Sequence, residues 1–161
     1  MAISNERLDD LESSTWEQRI GRGKECENNF AGYLLKQHGL HAIEQSPMIR
    51  DTEEVRHFLD IGILELPNTY WQVADGRRSH LHDGNVIKEQ ASYRGAVLAA
   101  KNGRQVYIVW EMPDGRFRGN RVDNLEVIGQ LSKESRSHGS GTRGYVFIAS
   151  CLVDLDELLE L

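Results

Sequence analysis

Two runs of strand-forming residues lie back to back near the middle of the chain, EVRHFLDIGILEL and TYWQVAD, with ELPN between them. Branched and aromatic side chains at this density favour extended backbone, and the proline–asparagine pair breaks the run. Such neighbours commit the chain to a sheet. Alternation puts Phe58, Asp60 and Gly62 on one side of the first strand, with Leu59, Ile61 and Ile63 on the other. In the second strand Tyr70, Gln72 and Ala74 share a side. A carboxylate flanked by apolar residues is costly to bury unless something pairs with it. A divalent cation would do so: magnesium prefers oxygen ligands and keeps several waters, so one aspartate and a neighbouring oxygen can suffice. The alternative is that Asp60 sits near a strand end and binds backbone or an arginine.

The flanking segments extend the pattern. In GRGKECENNFAGYLLKQHGL, Phe30, Ala31, Leu34 and Leu35 recur at helical spacing, and Gly39 stands where a helix would end, so a helix is expected over about 23–38. HAIEQSPMIR suggests a strand ending near Pro47, and DGRRSHLHDGN a polar loop with two Asp-Gly turns. VIKEQASYRGAVLAAKNG reads as a second helix, in which Ala91, Ala96, Ala99 and Ala100 allow close approach to a sheet and Gly103 ends it. RQVYIVWEM is a further strand, turned by Pro113-Asp114-Gly115 into RFRGNRV. DNLEVIGQL is expected to open a helix capped by Asp123. SKESRSHGSGTRG is expected to be a flexible loop, YVFIAS a last strand and DLDELLEL a short terminal helix. The order is that of an α/β protein with a mixed central β-sheet flanked by helices. Residues 1–20 are expected to form an arm or short helix, and residues 21–161 one domain.

The chain of 161 residues is long enough for a real core, and 39% hydrophobic with 27% charged residues is ordinary for a soluble domain. Its net charge of -6 argues against a protein that coats nucleic acid indiscriminately. The charge is uneven, however. Both ends are acidic, while Arg77, Arg78, Arg116, Arg118, Arg121, Lys133, Arg136 and Arg143 lie between them. Either a local basic surface or a mixed solvated one follows. The sequence has no apolar run of membrane-spanning length and no secretory signal pattern, so a cytoplasmic location is expected. Cys26 and Cys151 lack metal-type spacing and are expected to be free thiols.

Helix with Glu27, strand with Asp60, strand with QVA, alanine-rich helix, then VYIVW: over residues 23 to 111 this order resembles the PD-(D/E)XK nuclease superfamily, which includes restriction endonucleases and Holliday-junction resolvases. The resemblance implies a restriction-endonuclease-like fold and hydrolysis of DNA phosphodiester bonds with Mg2+ or Mn2+. Asp60 matches the metal-binding aspartate, with Leu59 in place of the usual proline before it. Gln72 falls where the family has its second acidic residue; its amide oxygen can reach a metal but adds no charge. Ala74 stands where the family's lysine should be. Two residues offer replacements: Lys88, expected near the start of the second helix, where it would share a face with Ser92, and Asp75, if a bulge shifts the strand by one. Glu27 lies three, four and seven positions before Phe30, Ala31 and Leu34, and so shares their face as a further metal or water ligand. Glu25 fits that face less well, and Glu44 is weaker still. Magnesium held by Asp60 and Gln72, with Glu27 through water, would polarise the phosphodiester and lower the pKa of the attacking water. Lys88 would stabilise charge developing on the phosphate. Tyr70, Arg77, Arg78, Arg116, Arg118 and Arg143 are the expected nucleic-acid contacts. A homodimer would set two sites against two strands of branched or processed DNA, as suits a phage or mobile-element enzyme.

Other signals are more local. His80 and His82 in SHLHDGN could serve a metal, and GNRVDNLEV resembles the closing segment of HNH endonucleases, although a helix and a strand separate the two pieces. SHGSGTRG lacks the lysine and flanking order of a phosphate-binding P-loop. Two non-enzymatic alternatives stand beside the nuclease. One is an inactive nuclease-fold protein serving as a DNA-binding, accessory or inhibitory subunit. The other is an interaction module whose acidic ends mimic DNA or bind a basic partner.

Overall fold

The computed structural model describes residues 16–44, 61–131 and 144–160. Its centre is a parallel pair: β3 (Leu66–Asp75) lies beside β5 (Gln105–Glu111), in register from Thr69 opposite Gln105 to Asp75 opposite Glu111. Parallel neighbours need a crossover connection, and helix α2 (Gln90–Lys101) supplies it. Around this pair the sheet runs β1-β2-β3-β5-β6-β9, with every other pairing antiparallel. The remaining strands are β1 (Ala42–Glu44), β2 (Ile61–Ile63), β6 (Phe117–Arg121) and β9 (Val153–Asp154). From Val106 to Trp110 every residue of β5 is buried, as expected of a strand covered on both faces.

One face is covered by α1 (Trp16–Tyr33) and the short α3 (Leu155–Leu159). Cys26, Phe30 and Leu34, four residues apart, form the buried stripe of the first helical run and its extension. They meet Trp71, Val73, Tyr107 and Val109 of the sheet. Trp71 stacks on Tyr107 with centroids 4.2 Å apart, and Phe30 meets Phe117 edge-on at 5.6 Å. The other face carries α2, whose Ala96 and Ala99 lie on Val106 and Ile108. A second sheet adjoins this face in the order β4-β8-β7, formed by β4 (Val86–Glu89), β8 (Gly144–Phe147) and β7 (Val127–Gln130). It is anchored where the buried Trp110 donates its indole N–H to the Ile87 carbonyl at 2.9 Å.

Several expectations are corrected. The first helix begins at Trp16, earlier than expected, and ends in a wide π-type turn, Leu34–His38. Gly39 closes it at φ 65°, donating to the Leu34 and Leu35 carbonyls. VIKE is a strand rather than the start of a helix, because Val86 and Ile87 pair with Phe147 and Val146; the helix begins only at Gln90. Lys88 is therefore a strand residue. ELPN does not break the second run. Chain reversal takes only Leu64 and Glu65, and β3 starts at Leu66. The register then jumps from Ile63 opposite Leu66 to Gly62 opposite Tyr70. Pro67 sits in the extra loop of chain, where its missing N–H breaks no ladder bond. DNLEVIGQL forms one short helical turn, Val122–Asn124, and then β7. Its branched residues are used in pairing with β8. The expected arm up to residue 15, the strand before Ile61 and the loop over 132–143 lie outside the described residues.

Close packing of β6 on β5 depends on Gly119, where an added Cβ would lie 1.9 Å from the Ile108 carbonyl oxygen. No side chain can move to relieve a clash with backbone. Gly119→Ala is expected to cost about 1–3 kcal/mol or more, seen as a lowered midpoint in chemical denaturation.

The end of α1 is tied to α3 through Asp156, which accepts from the Tyr33 hydroxyl at 2.6 Å and lies 2.8 Å from His38 Nε2. The Tyr33 bond, then His38, holds the Asp156 carboxyl below its ordinary range. A group with a lowered folded pKa stabilises the fold above its unfolded pKa and ceases to as pH falls through the folded one. The same bond pushes Tyr33 up to about 12, so its contribution is present below the unfolded phenol value of about 10 and is lost as pH rises through about 12. Stability measured against pH should therefore fall at both extremes, and Asp156→Asn should flatten the acid side.

Candidate active site

Alternation along β3 sends Trp71 and Val73 to the α1 face and Tyr70, Gln72 and Ala74 to the α2 face. Gln72 is fully buried, and its Nε2 donates to the Ser92 carbonyl in the first turns of α2 at 3.2 Å. Only the amide nitrogen can bond a carbonyl oxygen, so this contact fixes which end of the side chain is which and turns Oε1 away from Ser92. Ile108 stands beside Gln72 in the parallel register, and Trp110 stands beside Ala74.

That register locates Lys88. The Trp110 indole holds the backbone of Ile87, the residue before Lys88, and Trp110 is itself the register partner of Ala74. Within β4, Val86 and Lys88 share a side, and Val86 is buried in the cluster containing Ile108 and Trp110. Lys88 thus lies on the face of Gln72, half-buried, on a strand instead of on the expected helix face with Ser92. Asp60 lies outside the described residues. It is bonded to Ile61, which pairs with Trp71, the neighbour of Gln72.

Glu27 is elsewhere. Helix α1 covers the Trp71 and Val73 face, opposite to Gln72, and Glu27 is 4.0 Å from Lys24 on its own helix. The expected meeting of Glu27 with Gln72 is not what these layers produce. Among the described residues no three histidine, cysteine, aspartate or glutamate side chains converge as a metal cage. His80 and His82 belong to no such group among the described residues; His82 is buried in a short helical turn, Ser79–His82. The donor type at Gln72, an oxygen, suits magnesium, and a carboxylate from Asp60 would be the charged partner of that set.

The α1 face holds a separate polar cluster at the carboxyl ends of the two central strands. Asp75 and Glu111 are register partners with side chains on this face. Asn29 donates from Nδ2 to both Glu111 oxygens, at 2.8 and 3.2 Å. Arg77 donates to Asp75 at 3.0 Å and also bonds Glu25, and these bonds, Asp75 first, raise its pKa. Asp75 faces α1 and does not join Gln72 through a shifted strand. Glu111 was missed in the sequence, although a carboxylate closing an apolar strand run opposite Asp75 was its visible signal. Cys26 lies under this cluster, fully buried, and its thiol is pushed up to about 12 by burial, then by the Asp75 and Glu111 charges. Both cysteines are free.

The expected nucleic-acid contacts separate in the same way. Arg77 is committed to its carboxylates. Tyr70 is on the candidate face, with the Arg104 guanidinium 5.5 Å from its ring centroid. Arg118 is held by Asp154 at 3.3 Å and by the Leu152 carbonyl at 3.1 Å, and Arg116 is exposed in the hairpin turn. Arg78 is exposed in the loop after β3, and Arg143 lies outside the described residues.

With the geometry in place, comparison with solved structures is informative. The Holliday junction resolvase Hjc of the archaeal hyperthermophile Archaeoglobus fulgidus superposes with a TM-score of 0.54 at 17% identity, covering 85% of this chain and 94% of that one. The fold is that of the resolvase-like nucleases. A nuclease from a fusselovirus gives 0.51 at 9% identity, with 90% of both chains covered. No family model and no curated protein matches the sequence. Among the described residues no helix is long and apolar enough to cross a membrane.

A protonated, buried thiol is a poor nucleophile. Alkylation of the native protein at pH 8, followed by mass spectrometry, should label Cys151 quickly and Cys26 only after unfolding; rapid native labelling of Cys26 would contradict this packing.

Proposed function

We propose that the protein is a divalent-metal-dependent nuclease that hydrolyses phosphodiester bonds in DNA. The observation that carries this reading is the Trp110 bond to Ile87, which ties the strand bearing Lys88 to the register partner of Ala74, the position without an amine. Lys88 would supply the ammonium that offsets phosphate charge, from a second sheet instead of from β3. Asp60 and Gln72 would hold Mg2+ or Mn2+, which on binding lowers the pKa of a bound water and polarises the phosphodiester. Gln72 is oriented for this by Ser92. Glu27, on the opposite layer, has no part in this reading. Branched or processed DNA is the proposed substrate class and a homodimer the proposed working form, both suggested by the resolvase-like fold.

A second reading, a DNA-binding accessory protein without catalysis, is favoured by one specific pair of residues: neutral Gln72 and Ala74 where the resemblance implies a carboxylate and a lysine.

Both readings meet one assay. Purified protein is incubated with Mg2+ or Mn2+ and with plasmid, duplex or four-way-junction DNA. Cutting is expected, and Asp60→Ala should abolish it. Lys88→Ala should lower the rate by about 100-fold or more while DNA binding persists, in line with loss of one charge-stabilising donor. Adding Ala74→Lys to Lys88→Ala should restore part of the rate, because it returns an amine to the neighbouring strand position. Binding without cutting under either metal would establish the accessory reading instead.

A further inference from the structure

The far side of α2 carries a cavity that the candidate active site does not use. Its volume is about 260 Å3, and it lies between the helix and the turn Val122–Asn124. Tyr93, Val97 and Leu125 give it an apolar interior, while Lys101, Arg121 and Asp123 stand around it. Tyr93 is held by an edge-on contact with Phe147 at 5.0 Å and another with Tyr145 at 5.5 Å. Burial raises its pKa, so the phenol is neutral at physiological pH. Arg121 lies 3.5 Å from Asp123, both side chains being substantially exposed at 41% and 61%. Exposed pairs of this kind are worth only about 0–1 kcal/mol, so an incoming anion can take the guanidinium.

An aromatic wall, an aliphatic interior, two cations and one carboxylate form a matched set of contacts. Flat π-surfaces stack on an aromatic side chain. A phosphodiester is drawn by the lysine and arginine. A carboxylate accepts from an exocyclic base amine. The volume suits one small planar ring system and is below that of most drug-sized sites. Tyr93 follows Ser92 in α2, and the Ser92 carbonyl accepts from Gln72. On the same surface Arg94 donates to the Tyr145 hydroxyl at 3.0 Å, and Tyr145 is the register partner of Lys88. Tyr145, which touches the Tyr93 ring, thus links the ladder position of Lys88 to the cavity wall.

We propose that this cavity receives an unpaired nucleotide of a DNA strand whose neighbouring phosphate lies toward Lys88. The inference rests on the nuclease reading for the position of that phosphate, whereas the cavity's own binding chemistry stands apart from cutting. It selects DNA with an unpaired end or a junction over continuous duplex.

The test is fluorescence anisotropy at low salt with EDTA present, so that no cutting occurs. The probes are a labelled duplex with a single-stranded overhang, the same duplex with blunt ends, and deoxyadenosine monophosphate as competitor. Wild-type protein should bind the overhang at least about 10-fold more tightly than the blunt duplex, equivalent to about 1.4 kcal/mol. Lys101→Glu with Arg121→Glu should remove that preference, and so should Val97→Phe, which fills the cavity without altering charge. Equal binding of the two duplexes by wild type, or an unchanged preference in both cavity variants, overturns the proposal. Competition by the free nucleotide at the same concentration as the overhang strand overturns its assignment to a strand. Cutting is scored separately with metal: a preference for the overhang without any cutting sinks the nuclease reading and leaves the cavity's binding role intact.

Discussion

The bond from the Trp110 indole to the Ile87 carbonyl joins the two halves of this molecule. Trp110 is fully exposed to neither solvent nor helix; it sits in the central strand, buried, with Phe147 of the second sheet 5.6 Å away. Burying so large a side chain is worth about 1.5–3 kcal/mol from apolar area alone, but a buried indole N–H without a partner would cancel much of that. The partner it finds is the backbone of β4. A hydrophobic requirement and a hydrogen-bonding requirement are thus met by one contact, and that contact fixes where the second sheet lies. Lys88, Tyr145 and the first turn of α2 inherit their positions from it.

The sheet's two faces differ in how they treat polar groups. On the α1 face the carboxylates of Asp75 and Glu111 are bonded by Arg77 and Asn29 respectively, so each has a partner within the protein. On the α2 face the strand offers only a neutral amide, bonded to a helix carbonyl. A closed polar cluster supports structure, whereas the buried amide ties the central strand to the first turns of α2. The aromatic stack of Trp71 on Tyr107 and the edge contact of Phe30 with Phe117 keep the first face shut.

Much of this was legible in the residues. The buried run VYIVW, the alternation of Trp71, Gln72 and Val73, and the small residues Ala96 and Ala99 were enough to give a mixed sheet with helices on both sides. The α/β class follows from them. What local pattern could not give was the second sheet, because Val86 and Ile87 can open a helix or a strand and only pairing with Val146 and Phe147 decides it. The same non-local pairing turned Val127 and Ile128 away from the expected helix. The layer that carries Glu27 was hidden for a related reason. Helical spacing gives the face that meets the sheet, but not which side of the sheet the helix takes. The partners of Arg77 were equally invisible, since Glu25 lies on a helix 52 positions away.

Charge accounting links these layers to the chemistry proposed for the site. A glutamate and a lysine two residues apart sum to zero, and so do the glutamine and alanine found here. The exchange leaves the strand's net charge unchanged but removes both the metal's second anionic ligand and the phosphate's cationic partner. On the nuclease reading, Lys88 would restore the cation from another strand. Nothing among the described residues restores the anion, and a divalent ion held by one carboxylate and an amide keeps much of its charge uncompensated. The natural source of the missing negative charge is the substrate phosphate itself. On the nuclease reading, metal and DNA would therefore bind cooperatively, each weak without the other. Such coupling suits a site whose neighbouring surface carries arginine, lysine and tyrosine.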